Sequence, residues 1–175
     1  MIFLGGVHGV GKSSMCSELA QRFGLNVFGA SAIIRAERQA PSTDSRTAVH
    51  DVRGNQELLI QGVRRRVAET VGQFVLDGHL ALRTHDGAIE CIDLKVFEAL
   101  AVDYIICIRD DPQAIAKRLL VRDGVIHKVD DISALQFGEL DHAGYVARKL
   151  QIQLDVIQAF DHVGFEAYFR HVASG

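Results

Sequence analysis

The sequence predicts an α/β protein: a parallel β-sheet with helices on both faces, which together form three layers. Short apolar runs alternate along the chain with longer segments of helical periodicity, and this alternation is typical of parallel sheets. The length of 175 residues fits one domain spanning residues 1–175. With 48% hydrophobic and 23% charged residues, the chain can bury enough apolar surface to offset the entropy of ordering.

Apolar runs are predicted to be strands, and the periodic segments between them are predicted to be helices. The predicted strands are residues 2–5, 25–28, 74–77, 103–108 and 154–158. The predicted helices are residues 12–23, 32–39, 52–71, 94–100, 112–123, 132–150 and 163–172. Pro112 suits a first helical turn, because the N–H that proline lacks has no partner there. The polar, turn-rich residues 40–46 are expected to form a mobile surface loop.

The helix predicted for residues 52–71 has one apolar stripe. Hydrophobic residues recur at every fourth position, and we expect them to face a core. They are Leu59, Val63, Val67 and Val71. The neighbouring Arg64, Arg65 and Arg66 lie on the non-apolar side, where a solvated face is favoured over a nucleic-acid patch.

Composition and charge exclude several classes of function. The formal net charge of −3 gives no support to general nucleic-acid or anionic-membrane binding. No segment approaches the roughly 18 uncharged apolar residues of a membrane span, and the N-terminal apolar run is too short for a signal sequence. The three cysteines lack metal-ligand spacing and are expected to be reduced thiols. We therefore expect a cytoplasmic protein.

A complete phosphate-binding pattern follows the first predicted strand. The pattern G-x-x-x-x-G-K-[ST] is met by Gly6-Val7-His8-Gly9-Val10-Gly11-Lys12-Ser13. The pattern alone arises by chance, but here an apolar strand precedes it and an amphipathic helix follows it. A glycine-rich turn with an incidental Lys-Ser is the alternative. We predict that ATP or another nucleoside triphosphate binds here.

The residue types of this loop suit a triphosphate. Glycines allow backbone conformations in which successive N–H groups turn inward as an anion nest, and the start of the next helix adds partial positive charge. Lys12 is predicted to reach the β- and γ-phosphates, and the Ser13 hydroxyl to ligate Mg²⁺. The His8 side chain is expected to point to solvent or to pack locally. The candidate ATP-binding residues are Gly6, His8, Gly9, Val10, Gly11, Lys12, Ser13 and Ser14.

A carboxylate ends the apolar run at residues 74–77. In phosphate-loop proteins, an aspartate at this place helps to hold the hydration shell of Mg²⁺, so we expect Asp77 to contact the metal through water. An aspartate that caps the following loop is the alternative. His79 and His85 flank this position, but no spacing predicts a zinc site, and we assign them no role.

Two arginines are candidates for stabilising a transferring phosphoryl group. Arg118 and Arg122 are four residues apart on the predicted helix 112–123 and therefore project from one face. They follow the fourth predicted strand, at the sheet edge where α/β proteins bind ligands. Their guanidinium groups could neutralise charge on the phosphoryl group. A solvated helix face is the alternative.

Three further residues are candidates for binding a second substrate, the phosphoryl acceptor. Arg35 follows the second predicted strand, and Arg53 begins the long helix; each could bind the phosphate of such an acceptor. Gln56 lies about one helical turn after Arg53 and could hydrogen-bond a base edge. For each of them, a solvated surface position is the alternative.

Together these residues resemble nucleoside-monophosphate kinases, and most closely the archaeal-type adenylate kinases. Residues 6–14 resemble that family's phosphate loop, and Ser31 to Arg35 resembles its acceptor-binding turn and helix. A further segment, similar to the family's Asp-Thr-His with its later Lys-Thr and Gly, comprises Asp77-Gly78-His79, Arg83-Thr84 and Gly87. The residues similar to the Asp-Pro-x-x-Ile helix that leads into the lid are Asp110-Asp111-Pro112, Ile115, Arg118 and Arg122-Asp123.

The resemblance implies a five-stranded parallel sheet in the order 2-3-1-4-5, an acceptor-binding insertion at about residues 30–72 and a short lid at about residues 118–131. It implies transfer of the γ-phosphoryl group of ATP to a nucleotide or another small acceptor, with Mg²⁺ as cofactor, and it suggests a homo-oligomer such as a trimer. The expected catalytic residues are Lys12, Arg118, Arg122 and Asp77. The expected acceptor contacts are Ser31, Arg35, Arg53, Gln56 and Arg83.

The chain departs from this family at three places. Gly78 stands for the threonine, residues 88–92 replace a Pro-Gly-Leu-Pro stretch, and Glu139-Leu140 stands where the family has Asn-Arg. The first two departures leave the acceptor open, and at the third one phosphate-facing arginine of the family, in the helix after the lid, is missing. A phosphate anion needs no general base, whereas a hydroxyl acceptor would want one, for which Asp77 is the candidate.

Two other functions remain open on the sequence. A regulatory module that binds ATP, hydrolyses it slowly and signals by shape change would fit the missing post-lid arginine. A GTPase switch is suggested by His127-Lys128-Val129-Asp130, which is similar to the guanine-reading Asn-Lys-x-Asp motif. That segment has His for Asn and does not directly end an apolar strand, so the kinase hypothesis is favoured.

Overall fold

The computed structural model describes residues 1–39, 52–84, 86–161, 163–164 and 166. Its strands are β1 (Ile2–Gly5), β2 (Asn26–Gly29), β3 (Phe74–Asp77), β4 (Ala81–Arg83), β5 (Ile89–Cys91), β6 (Tyr104–Arg109) and β7 (Gln153–Gln158). Its helices are α1 (Lys12–Phe23), α2 (Ala30–Gln39), α3 (Val52–Glu69), α4 (Leu94–Ala99), α5 (Pro112–Asp123) and α6 (Val129–Leu150). None of the helices in these ranges is long and apolar enough to cross a membrane.

Five of the strands form one parallel sheet in the order β2-β3-β1-β6-β7. Counted among themselves along the chain, these strands have the order 2-3-1-4-5, so the predicted fold class and strand order are confirmed. Asp77 at the end of β3 is in register with Leu4 of β1 on one side and with Gly29 of β2 on the other. The segments that follow these three strands therefore emerge side by side at one sheet edge.

Alternate residues of the central strands enter two separate cores, one on each face of the sheet. Leu4 and Ile106 belong to the core beneath α1 and α5, together with Met15. Phe3 and Ile105 belong to the opposite core, which α3, α4 and α6 cover. This period of two is what a strand buried on both faces produces, and it gives the predicted three layers.

The structure adds a hairpin that was not predicted. Strands β4 and β5 pair antiparallel in a sheet of their own, and the connection between them contains Gly87 at φ 88°. Each strand has three residues, too few for an alternating pattern to stand out in the sequence. The predicted helix at residues 163–172 and the predicted loop at residues 40–46 lie largely or wholly outside the described residues.

The apolar stripe predicted on α3 is wrong in its second half. Leu59 and Val63 are buried, whereas Val67 is 45% exposed and Val71 is 96% exposed. A four-residue step turns about 40° too far on a helix, so the stripe drifts away from the core. The helix also ends at Glu69, before Val71 is reached.

A buried carboxylate joins α2 to α3. The side chain of Glu37 lies 2.9 Å from a guanidinium nitrogen of Arg65 and 3.5 Å from one of Arg66. The predicted solvated face is present, since Arg64 and Arg65 are exposed, but Arg65 and Arg66 also pair with this carboxylate. Gly62 of α3 allows this helix to lie close to α2, since a Cβ at this position would come 2.4 Å from the side chain of Ile33.

We expect Glu37→Ala to lower the free energy of unfolding by about 1–2 kcal/mol, because a buried, charge-assisted hydrogen bond is lost. The half-exposed position of Arg65 keeps the effect at that size. Urea denaturation measures it. The matched control Glu57→Ala removes an exposed carboxylate from α3 and should change the free energy by less than about 0.5 kcal/mol. Equal effects of the two substitutions would contradict a stabilising role for Glu37.

Candidate active site

A cavity of about 680 Å³ opens at the sheet edge where β1, β2 and β3 end. Its size lies in the range of small-molecule sites. One end is lined by the loop after β1 and by the first turn of α1, including Gly9, Gly11, Lys12 and Ser13. The other end is lined by residues of α2, α3, α4 and the β4-β5 hairpin. The cavity thus joins the predicted phosphate loop to the region predicted to bind an acceptor.

The loop between β1 and α1 has the backbone that an anion nest requires. Gly6, Gly9 and Gly11 have φ values of 135°, 75° and 114°. At Gly6 a side chain is excluded as well, because its Cβ would come 2.6 Å from the carbonyl oxygen of Ile108. The helix α1 then begins at Lys12, so its N-terminal amides start where the loop ends.

Lys12 lies buried at the floor of this loop. Its ammonium group donates to the carbonyl oxygen of Gly6, lies 3.3 Å from that of Val7 and is 3.9 Å from a carboxylate oxygen of Asp77. Burial lowers the pKa of Lys12, and the negative charges of Asp77 and Glu139 oppose that effect. Burial likewise raises the pKa of Asp77, and the charge of Lys12 opposes it. The attraction between the two groups therefore opposes the loss of charge that burial favours.

The residues predicted to hold Mg²⁺ both line the cavity. Ser13 lies in the first turn of α1, and Asp77 is the last residue of β3. A hydroxyl and a carboxylate are oxygen donors, the type that Mg²⁺ prefers. The side chains present therefore fit the predicted metal.

Helix α5 begins with strong local signals and carries the two predicted phosphoryl-binding arginines. The carboxylate of Asp111 accepts a hydrogen bond from the backbone N–H of Ala114 at 3.1 Å, and Pro112 occupies the first turn, as predicted. Gly124, at φ 68°, ends the helix. Arg118 and Arg122 both line the cavity, so the structure brings them together with the phosphate loop.

The two arginines differ in how they are held. Arg118 donates from Nε to the carbonyl oxygen of Gly9 at 2.8 Å and from a terminal nitrogen to Asp110 at 2.6 Å. Its guanidinium carbon also lies 5.3 Å from the ring centroid of Phe160. Arg122 instead forms two hydrogen bonds, at 2.6 and 2.7 Å, with the carboxylate of its neighbour Asp123. Arg118 is thus fixed against the loop, whereas Arg122 lies at the rim.

Polar side chains from two other elements hold Asp110 in place for Arg118. Gln136 of α6 accepts from the backbone N–H of Asp110 and donates to its carbonyl oxygen, both at 2.9 Å. Gln158 of β7 donates to the Asp110 carboxylate at 2.6 Å. The position of Arg118 therefore depends on three separate segments of the chain.

Two histidine rings lie beside the phosphate loop. The ring centroids of His8 and His79 are 4.1 Å apart, and both residues line the cavity. Desolvation, followed by the positive charges of His79, Lys12 and Arg122, lowers the pKa of His8 to about 4. The ring of His8 is therefore neutral near pH 7 and adds no charge to the loop.

His79 is held by a fully buried carboxylate on α6. Its Nδ1 lies 2.9 Å from Oε1 of Glu139, and the backbone N–H of Leu80 donates to Oε2 of the same carboxylate at 2.8 Å. Glu139 is 0% exposed. The sequence showed only that Glu139 departs from the family pattern and left His79 without a role.

The residues predicted to contact an acceptor separate into two groups. Ser31 and Gln56 line the cavity. Arg35 is exposed and outside the lining, because the cavity-facing side of α2 runs through Ser31 and Ile34, and Arg35 lies about 100° beyond Ile34. The Arg35 prediction is therefore not supported. The side chain of Arg53 lies outside what the structure describes.

Arg83 is also placed away from the cavity. Its guanidinium group lies 2.6 Å from the carboxylate of Asp131 at the start of α6. Successive strand residues point to opposite faces, so the neighbouring Leu82 lines the cavity and Arg83 does not. The prediction that Arg83 contacts an acceptor is likewise not supported.

Phe160 lines the cavity but carries no signal in the sequence. It follows β7 at a φ of 62°, and its ring lies so close to the phosphate loop that a Cβ at Gly11 would come 2.9 Å from it. A single aromatic residue after a strand is ordinary in a sequence. Its position over the loop follows only from the way β7 packs at the sheet edge.

The phosphate loop, the carboxylate that ends β3 and the strand order define a protein with the phosphate-loop NTPase fold. A family model described as an AAA domain matches residues 5–136. That range is most of the chain and contains the phosphate loop, Asp77, Arg118 and Arg122. The chain therefore belongs to this AAA-domain family. A comparison with curated proteins found no match.

Solved structures share the fold over nearly the whole chain. A gluconokinase from Sinorhizobium meliloti 1021 is 14% identical, with a TM-score of 0.51, over 99% of this chain and 86% of its own. A shikimate kinase from Bacteroides thetaiotaomicron is 18% identical, with a TM-score of 0.56, over 99% and 95%. An uncharacterized protein from Eubacterium ventriosum ATCC 27560 is 13% identical, with a TM-score of 0.56, over 99% and 98%. At these identities the similarity shows the fold.

Proposed function

We propose that this protein is an ATP-dependent phosphotransferase that transfers the γ-phosphoryl group of ATP to a small-molecule acceptor. The observation that carries the proposal is the continuity of the cavity, which runs from the phosphate loop to walls built by α2, α3, α4 and the hairpin. An enzyme that only hydrolyses ATP needs no second binding region. The kinases among the solved structures of this fold support the same class of reaction.

The loop end of the cavity suits the triphosphate. The amides of the loop and of the first turn of α1 would bind the phosphates, and the Lys12 ammonium would lie against the β- and γ-phosphates. Mg²⁺ would be held by the Ser13 hydroxyl and, through water, by Asp77, and when bound it neutralises phosphate charge. Phe160 and Arg118 would border the nucleotide where the loop meets α5.

In the transfer step, an acceptor oxygen bonds to the γ-phosphorus while the bond from that phosphorus to the bridging oxygen breaks. The electron pair of the broken bond leaves with ADP. Lys12, Arg118 and Arg122 would stabilise the charge that spreads over the phosphoryl oxygens. A hydroxyl acceptor also gives up a proton, which needs a base within hydrogen-bonding reach. The fixed contacts of Arg118 with the loop favour it as the main phosphoryl-binding arginine.

A coupled assay of ADP release with Mg-ATP tests the proposal. The acceptor panel contains nucleoside monophosphates, nucleosides and small hydroxylated metabolites. We expect at least one of them to raise ADP release more than tenfold above the rate without acceptor, and Lys12→Ala to remove the signal. If no acceptor raises the rate, the protein is instead a slow ATPase of the regulatory kind.

A further inference from the structure

The guanidinium group of Arg118 is held by three contacts. Its Nε donates to the carbonyl oxygen of Gly9 at 2.8 Å, its Nη2 donates to Oδ2 of Asp110 at 2.6 Å, and its carbon atom lies over the ring of Phe160. A guanidinium group has five N–H groups. Among the described residues, these two hydrogen bonds are the ones that engage it, and Arg118 lines the cavity. The N–H groups of Nη1 are therefore left to bind a ligand.

Asp110 contacts this guanidinium group with a carboxylate whose two oxygens both accept hydrogen bonds. Oδ2 accepts from Arg118, and Oδ1 accepts from the backbone N–H of Asp111 at 2.8 Å and from the side-chain amide of Gln158 at 2.6 Å. The side chain of Asp110 is 13% exposed. An ionised carboxylate only accepts hydrogen bonds and therefore suits three donors, whereas an amide of the same shape would turn a donor towards one of them.

Gln158 reaches Asp110 because of the register between two parallel strands. In the pairing of β6 with β7, Arg109 lies opposite Gln158, and Asp110 follows Arg109 directly. Phe160 follows Gln158 by two positions, and its ring lies beneath the guanidinium group of Arg118. The end of β7 therefore supplies one contact to Asp110 and another to Arg118 itself.

An arginine that stabilises a transferring phosphoryl group acts best when it points at that group before the reaction begins. The side chain of Arg118 has several rotatable bonds, and ordering it during the reaction would cost free energy. Its charge-assisted hydrogen bond to Asp110 is of the stronger kind and fixes one terminal nitrogen. Without that bond, the carbonyl oxygen of Gly9 and the ring of Phe160 are the remaining described contacts. The orientation of Nη1 therefore depends on Asp110.

We propose that Asp110 and Gln158 are positioning residues for Arg118. Gln158 orients the carboxylate of Asp110, and that carboxylate holds Nη2 of Arg118 so that Nη1 faces the transferred phosphoryl group. This inference rests on the proposed phosphotransferase function, in which Arg118 stabilises that group. Asp110 and Gln158 do not themselves touch the reacting atoms, and each acts through Arg118.

Asp110→Asn tests the role of the carboxylate. The amide turns an N–H₂ group towards one of the three donors, so the hold on Arg118 is lost while the size of the side chain is kept. We expect kcat to fall at least about fivefold and the affinity for a non-hydrolysable ATP analogue to change less than about threefold. Asp111→Asn makes the same change one position on and should keep kcat within about twofold, because Asn caps a helix as well as Asp does. Equal losses in the two variants, or an unchanged kcat in Asp110→Asn, would overturn the inference.

A double-mutant cycle shows whether Asp110 acts through Arg118. Combined with Arg118→Ala, Asp110→Asn should lower kcat by less than about twofold further, because the group that it positions is already gone. Combined with Arg122→Ala, it should cost its full factor, since Arg122 is paired with Asp123 instead. A full loss in the Arg118→Ala background would show that Asp110 acts by another route.

Gln158→Glu tests the more distant residue of this chain of contacts. It replaces the amide donor by a carboxylate that repels Asp110, and we expect kcat to fall at least about threefold. Gln153→Glu adds the same charge at an exposed position near the other end of β7 and should leave kcat unchanged. Equal effects of the two substitutions would contradict a positioning role for Gln158.

Hydrogen exchange at the Arg118 side chain gives a readout that needs no acceptor. In protein labelled with ¹⁵N-arginine, the Nε–H signal of Arg118 is assigned by its loss in Arg118→Lys. We expect this hydrogen to exchange with solvent at least about threefold faster in Asp110→Asn. Unchanged exchange would overturn the inference and leave the proposed function standing. If no acceptor raises ADP release, the proposed function falls, and exchange together with the rate of ATP hydrolysis in the same variants still decides the role of Asp110.

Discussion

Lys12→Ala is expected to lower kcat/KM for ADP formation at least about a hundredfold, with or without an acceptor. A preorganised charge that stabilises a transition state is commonly worth a factor of this size. Lys12 is buried at the loop floor, within 3.9 Å of Asp77, and no other lysine lines the described cavity. The coupled ADP-release assay, with the concentration of Mg-ATP varied from below to above its KM, measures the effect.

A loss of activity that arises from misfolding of Lys12→Ala must be distinguished from a loss of catalysis. Removing Lys12 leaves the buried carboxylate of Asp77 without its positive neighbour, so thermal unfolding is recorded for the same variant. Lys95→Ala, at an exposed position of α4, is the control and should retain full activity. If Lys12→Ala remains folded and keeps more than a tenth of the activity, the loop does not bind the transferred phosphoryl group in the way proposed.

Arg118→Ala is expected to lower kcat more than tenfold, while the affinity for nucleotide changes less. Arg118 is held between the carbonyl oxygen of Gly9 and the carboxylate of Asp110, so its guanidinium group lies fixed against the loop. Interactions of this kind act mainly on the transition state. Steady-state kinetics and direct titration of a non-hydrolysable ATP analogue separate the two effects.

Two further variants test whether the guanidinium group of Arg118 contributes more to catalysis than its charge alone or than Arg122. Arg118→Lys keeps the charge but not the planar fork, so we expect it to restore only part of the activity. Arg122→Ala should have a smaller effect than Arg118→Ala, because Arg122 is 58% exposed and is paired with Asp123. A loss confined to nucleotide affinity would show that Arg118 is only a binding residue.

The phosphate loop was predictable because its chemistry lies in consecutive residues. Glycines at positive φ, a lysine and a serine within one turn specify an anion site wherever a strand leads into a helix. Asp77 and Pro112 were predictable for the same reason, since each ends or begins an element that the local pattern defines.

Other parts of the site could not be predicted because they depend on how separate elements pack. Ser31, Ile34 and Arg35 lie within five consecutive positions of α2, yet only the rotation of that helix decides that Arg35 is outside the cavity lining. The exposure of Val67 has the same origin, because only the side of α3 that carries Leu59 and Val63 packs into the core.

By itself, the amino-acid sequence determined the layered α/β architecture, the boundaries of the five parallel strands to within a residue or two and the triphosphate-binding loop, because each depends on neighbours along the chain. Only the tertiary structure decided what faces that loop. His79 contacts Glu139, which is 60 residues away in the sequence, and Arg118 donates a hydrogen bond to Gly9, which is 109 residues away in the sequence. Such contacts depend on the order of the strands and the rotation of the helices, and these are settled only when the two cores pack together.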